Sequence, residues 1–194
     1  MRGICYTICF ISAILVFGSC NKTDLYGQKT KTLDSLSGAI NSMLQELKNV
    51  DTISLQKSLT RFNWYNEFIR ENIHDTITKD EADNLRHFFT SGKDLENFSR
   101  NRKLILKRAL LINSQLQKLT EDIKNKSLST EQMSSYSHNE MNESTKLIEM
   151  GYEQQKLFHS RLEEFKNSLK GIELLIRSRN KGELPTIIKD TISL

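Results

Sequence analysis

The chain has 194 residues, 37% of them hydrophobic and 27% charged, with 28 Lys+Arg against 24 Asp+Glu and a single proline. That length fits one ordinary domain, the polar fraction excludes a multi-spanning membrane protein, and the lone proline excludes a proline-rich or collagen-like chain. A net charge of +4, with no basic tail or arm, points away from the nucleic-acid binders.

All three cysteines, Cys5, Cys9 and Cys20, lie near the start of the chain. Arg2 supplies a positive charge, an uncharged apolar run follows from Ile4 to Phe17, and Gly18-Ser19-Cys20 closes it. A membrane span needs about 20 apolar residues, so the run is short for a span and has the layout of a secretory signal. Val16-Phe17-Gly18-Ser19-Cys20 resembles the lipobox of bacterial lipoproteins, with Phe17 where leucine is commonest. The resemblance implies cleavage between Ser19 and Cys20, acylation of Cys20 and attachment to a membrane through that lipid. Asn21, where an aspartate would signal retention at the inner membrane, implies the outer membrane. Loss of residues 1–19 leaves no cysteine besides Cys20. A disulfide-stapled domain, thiol catalysis and a cysteine-ligated metal are thereby excluded. Residues 20–32, polar and including Gly27, read as the lipidated cysteine and a flexible tether.

From residue 33 to about 180 the dominant pattern is helical. Leu33, Leu36, Ile40, Met43, Leu47 and Val50 step by three and four. The phase then slips by one residue near Asp51, after which Leu55, Leu59, Phe62, Ile69 and Ile73 continue it. Asp51 either caps a fresh helix or sits in a bend of a continuous one, and continuity is the reading preferred. Residues 73–78 break the pattern, and Thr78-Lys79-Asp80-Glu81 has the form of a capping box. A second stripe runs through Phe88, Leu95, Arg102, Ala109, Leu116 and Ile123, with Phe98, Ile105, Ile112 and Leu119 interleaved. A turn at Asn125 to Ser129 and a second cap, Ser129 to Gln132, open the third stripe. That stripe holds Met141, Ile148, Gln155, Leu162, Leu169 and Ile176, with Ser144, Gly151, Phe158, Phe165 and Ile172 between them. Gly182 and Pro185 stop the helix, leaving residues 181–194 as a C-terminal tail.

Three long helices joined by short turns predict an all-α, elongated antiparallel three-helix bundle, four-segmented if Asp51 breaks the first helix. Folding about residue 128 sets Phe98 opposite Phe158, Ile105 opposite Gly151, and Lys103 and Lys107 near Glu153 and Glu149. Folding about residue 76 sets Phe62 near Phe89. Arg102 and Gln155, polar within apolar stripes, read as fixing register.

Little in this bundle carries chemistry. Glu71-Asn72-Ile73-His74 matches the Glu-x-x-His element of di-iron bundles, which needs a second such element and two more glutamates. His87, His138 and His159 complete none, so no metal and no cofactor are expected and His74 reads as a turn histidine. Arg100, Arg102, Lys103, Lys107 and Arg108 form the most basic stretch. Pairing with glutamates of the third helix is the first reading for it, and anionic headgroups or glycans the second. Trp64 falls out of phase with Phe62 and Ile69, at an edge where a tryptophan can anchor a partner. Trp64 and His74 are therefore the candidate partner contacts. The functional expectation is a lipid-anchored, non-enzymatic envelope lipoprotein serving as a spacer or protein-interaction module, with a protein partner, no nucleic acid, and self-association possible through heptad faces. The alternative is an immunity-type or ligand-binding lipoprotein that neutralises a toxin or captures an extracellular partner.

Overall fold

A computed structural model describes residues 25–184. The signal segment, the Ser19–Cys20 cleavage point, Pro185 and the rest of the tail lie outside the described residues. Four helices follow one another: α1 Leu25–Lys48, α2 Thr52–Asn72, α3 Lys79–Lys124 and α4 Thr130–Arg179. They form an all-α bundle in which α3 and α4 are the long antiparallel pair. On this pair α1 and α2 are laid end to end, each contacting both long helices.

Both long helices begin as the sequence reads. Thr78 accepts from the Glu81 amide while the Glu81 carboxylate accepts from the Thr78 amide at 2.7 Å. Ser129 and Gln132 make the same reciprocal pair at the start of α4. Two orphan donors are satisfied at each start. α4 ends at Arg179, followed by Lys181 and Gly182 with φ of 50° and 88°. The Gly182 amide reaches back to the Arg177 carbonyl at 2.9 Å, a left-handed stop that favours glycine.

The hairpin of α3 and α4 keeps the register that periodicity sets. Phe98 and Phe158 stack with ring centroids 4.5 Å apart, Asn101 donates to Gln154, and Asp94 pairs with Arg161 at 2.7 Å. The first hairpin is one residue off the expectation, because Phe62 packs on Phe88 at 5.3 Å, with Phe89 5.4 Å from the Phe88 ring.

Two readings of the N-terminal third are corrected. Helix α1 starts at Leu25, so most of the segment read as tether is helical. Tyr26, Thr30 and Leu33 share one face and pack on the core, and the Thr30 hydroxyl returns its hydrogen bond to the Gly27 carbonyl. A threonine and a tyrosine in place of leucines hide that turn from an apolar-periodicity search. The first helix is also broken rather than continuous. Asp51 is the N-cap of α2, accepting from the Ser54 amide at 2.9 Å and from its hydroxyl at 2.6 Å. Those bonds, the hydroxyl first, hold the Asp51 carboxyl below its ordinary range. On the other side of the gap Arg102 of α3 donates from Nε to the Leu47 carbonyl at 2.7 Å, filling an acceptor that the end of α1 leaves open. The polar residue in the α3 stripe is thus the C-terminal partner of α1.

The pattern on α4 explains why the break falls there. Ser137, Ser144 and Gly151 are succeeded at the same heptad position by Phe158, Phe165 and Ile172, all buried. Small side chains let a neighbouring helix approach, and large ones hold it off. Accordingly α1 lies close against the long pair, while α2 stands further out over the phenylalanines. The gap at residues 49–51 absorbs that outward step and the one-residue phase slip together. Spacing along α4 is unchanged across it, since the contacts Met43–Gly151 and Tyr65–Glu173 both span 108 residues.

Candidate functional site

The lipidation and cleavage residues Cys20 and Ser19 lie outside the described residues. The other two candidates sit at the end of the bundle that carries the α2–α3 turn. His74 is exposed in that turn, with Nε2 3.0 Å from the Glu71 carbonyl. The ring therefore closes the C-terminus of α2, on its own Glu-x-x-His partner's backbone rather than on its carboxylate. Among the described residues no three His, Cys, Asp or Glu side chains gather as metal ligands do.

Trp64 is partly buried, with its ring 5.4 Å from that of Tyr65. Tyr65 is the more enclosed of the two, 3% exposed, and its hydroxyl donates to Glu173 at 3.0 Å. Burial first, and then that carboxylate, push the phenol up to about 12. A proton held more tightly folded than unfolded stabilises the fold fully below the ordinary phenol value near 10 and loses that contribution as pH rises through 12. Wild type should therefore be more stable than Tyr65→Phe at neutral pH, and its advantage should shrink between pH 10 and 12. Urea unfolding of both proteins across that range checks it, and a constant gap would contradict the hydrogen bond.

The turn itself is clamped by a residue that the sequence gives little reason to single out. Arg179, in the last turn of α4, reaches Asp75 at 2.8 Å and Glu81 at 3.4 Å. Glu81 therefore caps α3 and meets α4 at once, and its carboxyl is held low, chiefly by the bonds to Thr78. The antiparallel arithmetic that brings residue 179 beside residue 76 is the signal that could have found it. This end is a fixed surface of charged and polar groups.

Along the α3–α4 seam a chain of polar contacts runs from His87 through Glu164 and Arg161 to Asp94. The bond from His87 comes first among the causes that hold Glu164 low. The nearby hydroxyls are used elsewhere, Ser91 donating to the His87 carbonyl and Ser168 to that of Phe165. The arrangement suits an interhelical tie, each exposed link of which contributes little.

The expected pairing of Lys103 and Lys107 with Glu153 and Glu149 is not what the bundle makes. Across this stretch the tie is Arg108 to Glu143. Lys103 and Lys107 of α3 and Glu149 and Glu153 of α4 are all exposed, off the seam that Asn101–Gln154 and Arg108–Glu143 mark. The periodicity sets the register rightly, but residues at matching heights pair only when both flank the seam.

Open furrows run along the described part of the bundle. One of about 580 Å3 lies between α2 and α3, lined by Leu59, Leu104, Arg100, Lys103 and Glu96. Another of about 320 Å3 opens at the helix break beside Asp51, Gln155 and His159. A third, of about 540 Å3, overlies the His87–Glu164 tie. No protein-family model, curated protein or solved structure matches the chain.

Proposed function

We propose that the chain is a lipid-anchored, non-enzymatic helical-bundle lipoprotein of a bacterial envelope, held at the membrane through Cys20 and working as a protein-interaction module. The observation that supports this reading is the short distance from the lipobox to the fold. Helix α1 begins at Leu25, five residues after Cys20, at the end of the bundle that carries the α3–α4 turn. At most about 3.6 Å of chain per residue ties the body within roughly 18 Å of an acylated cysteine. None of the described helices is long and apolar enough to cross a membrane, and the reading gives attachment to the lipid. The α2–α3 turn lies a helix length away, about 70 Å for the 46 residues of α3 at 1.5 Å each. Its Arg179 clamp and exposed His74 make it the proposed place of partner capture.

Metabolic labelling with palmitate tests the anchor. The wild-type chain should take up label and sediment with membranes, and Cys20→Ser should do neither; label retained by Cys20→Ser would sink the reading. A crosslinking pull-down tests the turn. Shuffling residues 73–77, with the Thr78 cap kept, should abolish capture, and unchanged capture would move the partner site elsewhere.

A further inference from the structure

We infer that the outer face of α3 is a docking surface for anionic lipid headgroups, so that the bundle lies along the bilayer to which Cys20 holds it. The inference rests on the anchored reading above and adds an orientation to it.

The sequence of α3 contains no aspartate or glutamate from Asn97 to Thr120, but it contains six basic residues there. Two of the six are used inside the protein, Arg102 on the Leu47 carbonyl and Arg108 on Glu143. The other four, Arg100, Lys103, Lys107 and Lys118, are exposed. Among the described residues none of the four has an acidic partner, the one side-chain bond being from Arg100 to Asn97. Outside this run the chain carries 22 Lys+Arg against 24 Asp+Glu, the totals less those six. The positive excess of the whole protein therefore sits on one helix.

The same face carries apolar groups. Leu104 and Leu111, one heptad apart, are 62% and 60% exposed, and Leu110 beside them is 60% exposed. Together with Arg100, Lys103 and Lys107 they form an amphipathic strip opposite the buried stripe of Phe98, Ile105 and Ile112. Exposed leucines in water gain nothing, whereas a headgroup region accepts them and lets the long basic side chains reach phosphates. Each lysine or arginine at an anionic surface strengthens attraction several-fold. One lipid signal combined with a basic patch is a recognised way to hold a protein firmly. Arg100, Lys103 and Leu104 also line the open furrow between α2 and α3, so these basic groups flank a shallow channel open to the headgroups.

The test places a reporter in the full chain, reconstituted by its own lipid. Leu104→Trp puts an indole on the strip, and Glu153→Trp puts one on the outer face of α4 as a control, each made with Trp64→Phe so that the chain carries a single indole. Both positions are exposed, so neither change threatens the fold. Quenching by brominated lipids is read in vesicles of phosphatidylcholine alone and in vesicles with phosphatidylglycerol added. The reporter at position 104 should be quenched only where phosphatidylglycerol is present, and the control at 153 in neither vesicle. About half or more of the quenching should be lost on adding Lys103→Glu and Lys107→Glu, and 1 M salt should act likewise by shortening screening to about 3 Å. Equal quenching at 104 and 153, or none at 104 while the protein still floats with the vesicles, would overturn the proposal and leave the anchor standing. Failure to float would instead overturn the anchored reading. A reporter at 104 unmoved by either vesicle but blue-shifted by poly-glutamate would reassign the face to an acidic polypeptide.

Discussion

Phe88→Ala should destabilise the bundle by about 3–5 kcal/mol, the range for removing a buried phenylalanine ring. Phe88 is fully buried and lies within 5.4 Å of Phe62, Phe89 and Phe165, with Tyr65 at 6.5 Å. Its ring joins α2, α3 and α4 at one point. Neighbours held in their own contacts cannot collapse into the space, so the loss includes a cavity as well as the transfer of the ring from water. The effect should also be local. Since Phe62 and Tyr65 are two of the four apolar residues that α2 buries, its amides should exchange faster in the variant while those of α1 stay protected. Urea unfolding measures the first effect and hydrogen exchange the second. A loss below about 1 kcal/mol, or uniform loosening of α1 and α2, would show that the rings do not attach α2 as described.

The contrast between α1 and α2 also shows how far the sequence carries. The two capping boxes, the heptad stripes of α3 and α4 and the stacking of Phe98 on Phe158 are all set by spacing, and spacing is what a sequence displays. What it does not display is the distance between helices. Whether Asp51 bends a helix or starts one depends on Ser144 and Gly151 giving way to Phe158 and Phe165 more than a hundred residues later. Those residues mark an outward step only once they are known to face the first third of the chain. The helical start at Leu25 was hidden for a related reason, since Thr30 becomes a core residue only where the neighbouring helix comes close.

The surface was harder to read than the core. Lys103 and Lys107 lie at heights matching Glu153 and Glu149, yet all four residues are exposed and off the seam. Ion pairs form where both residues flank the seam, as Arg108 and Glu143 do. The lysines left over give the bundle its charged face. Arg102 was visible as an anomaly in an apolar stripe, but its acceptor is a backbone carbonyl, which no residue type announces.

Met43→Ala and Gly151→Ala should each destabilise the fold, and the two together should cost clearly less than the sum of their separate costs. A methyl group at Gly151 would meet Met43 Sδ at 2.1 Å and Cγ at 2.6 Å, far inside any allowed contact. Met43 is fully buried, so its chain has no open space to swing into. Overpacking of this kind costs about 1–3 kcal/mol, and truncating Met43 alone about 2–5 kcal/mol through the cavity it leaves. In the double variant the new methyl occupies part of the space that the thioether vacates, so a coupling of about 0.5–3 kcal/mol is expected. The close seat of α1 depends on this contact, because a glycine at position 151 lets the backbones approach until only a side chain from α1 fits between them. Urea unfolding of the wild type, both single variants and the double completes the cycle. Strict additivity would mean that the helices can part enough to take the methyl group.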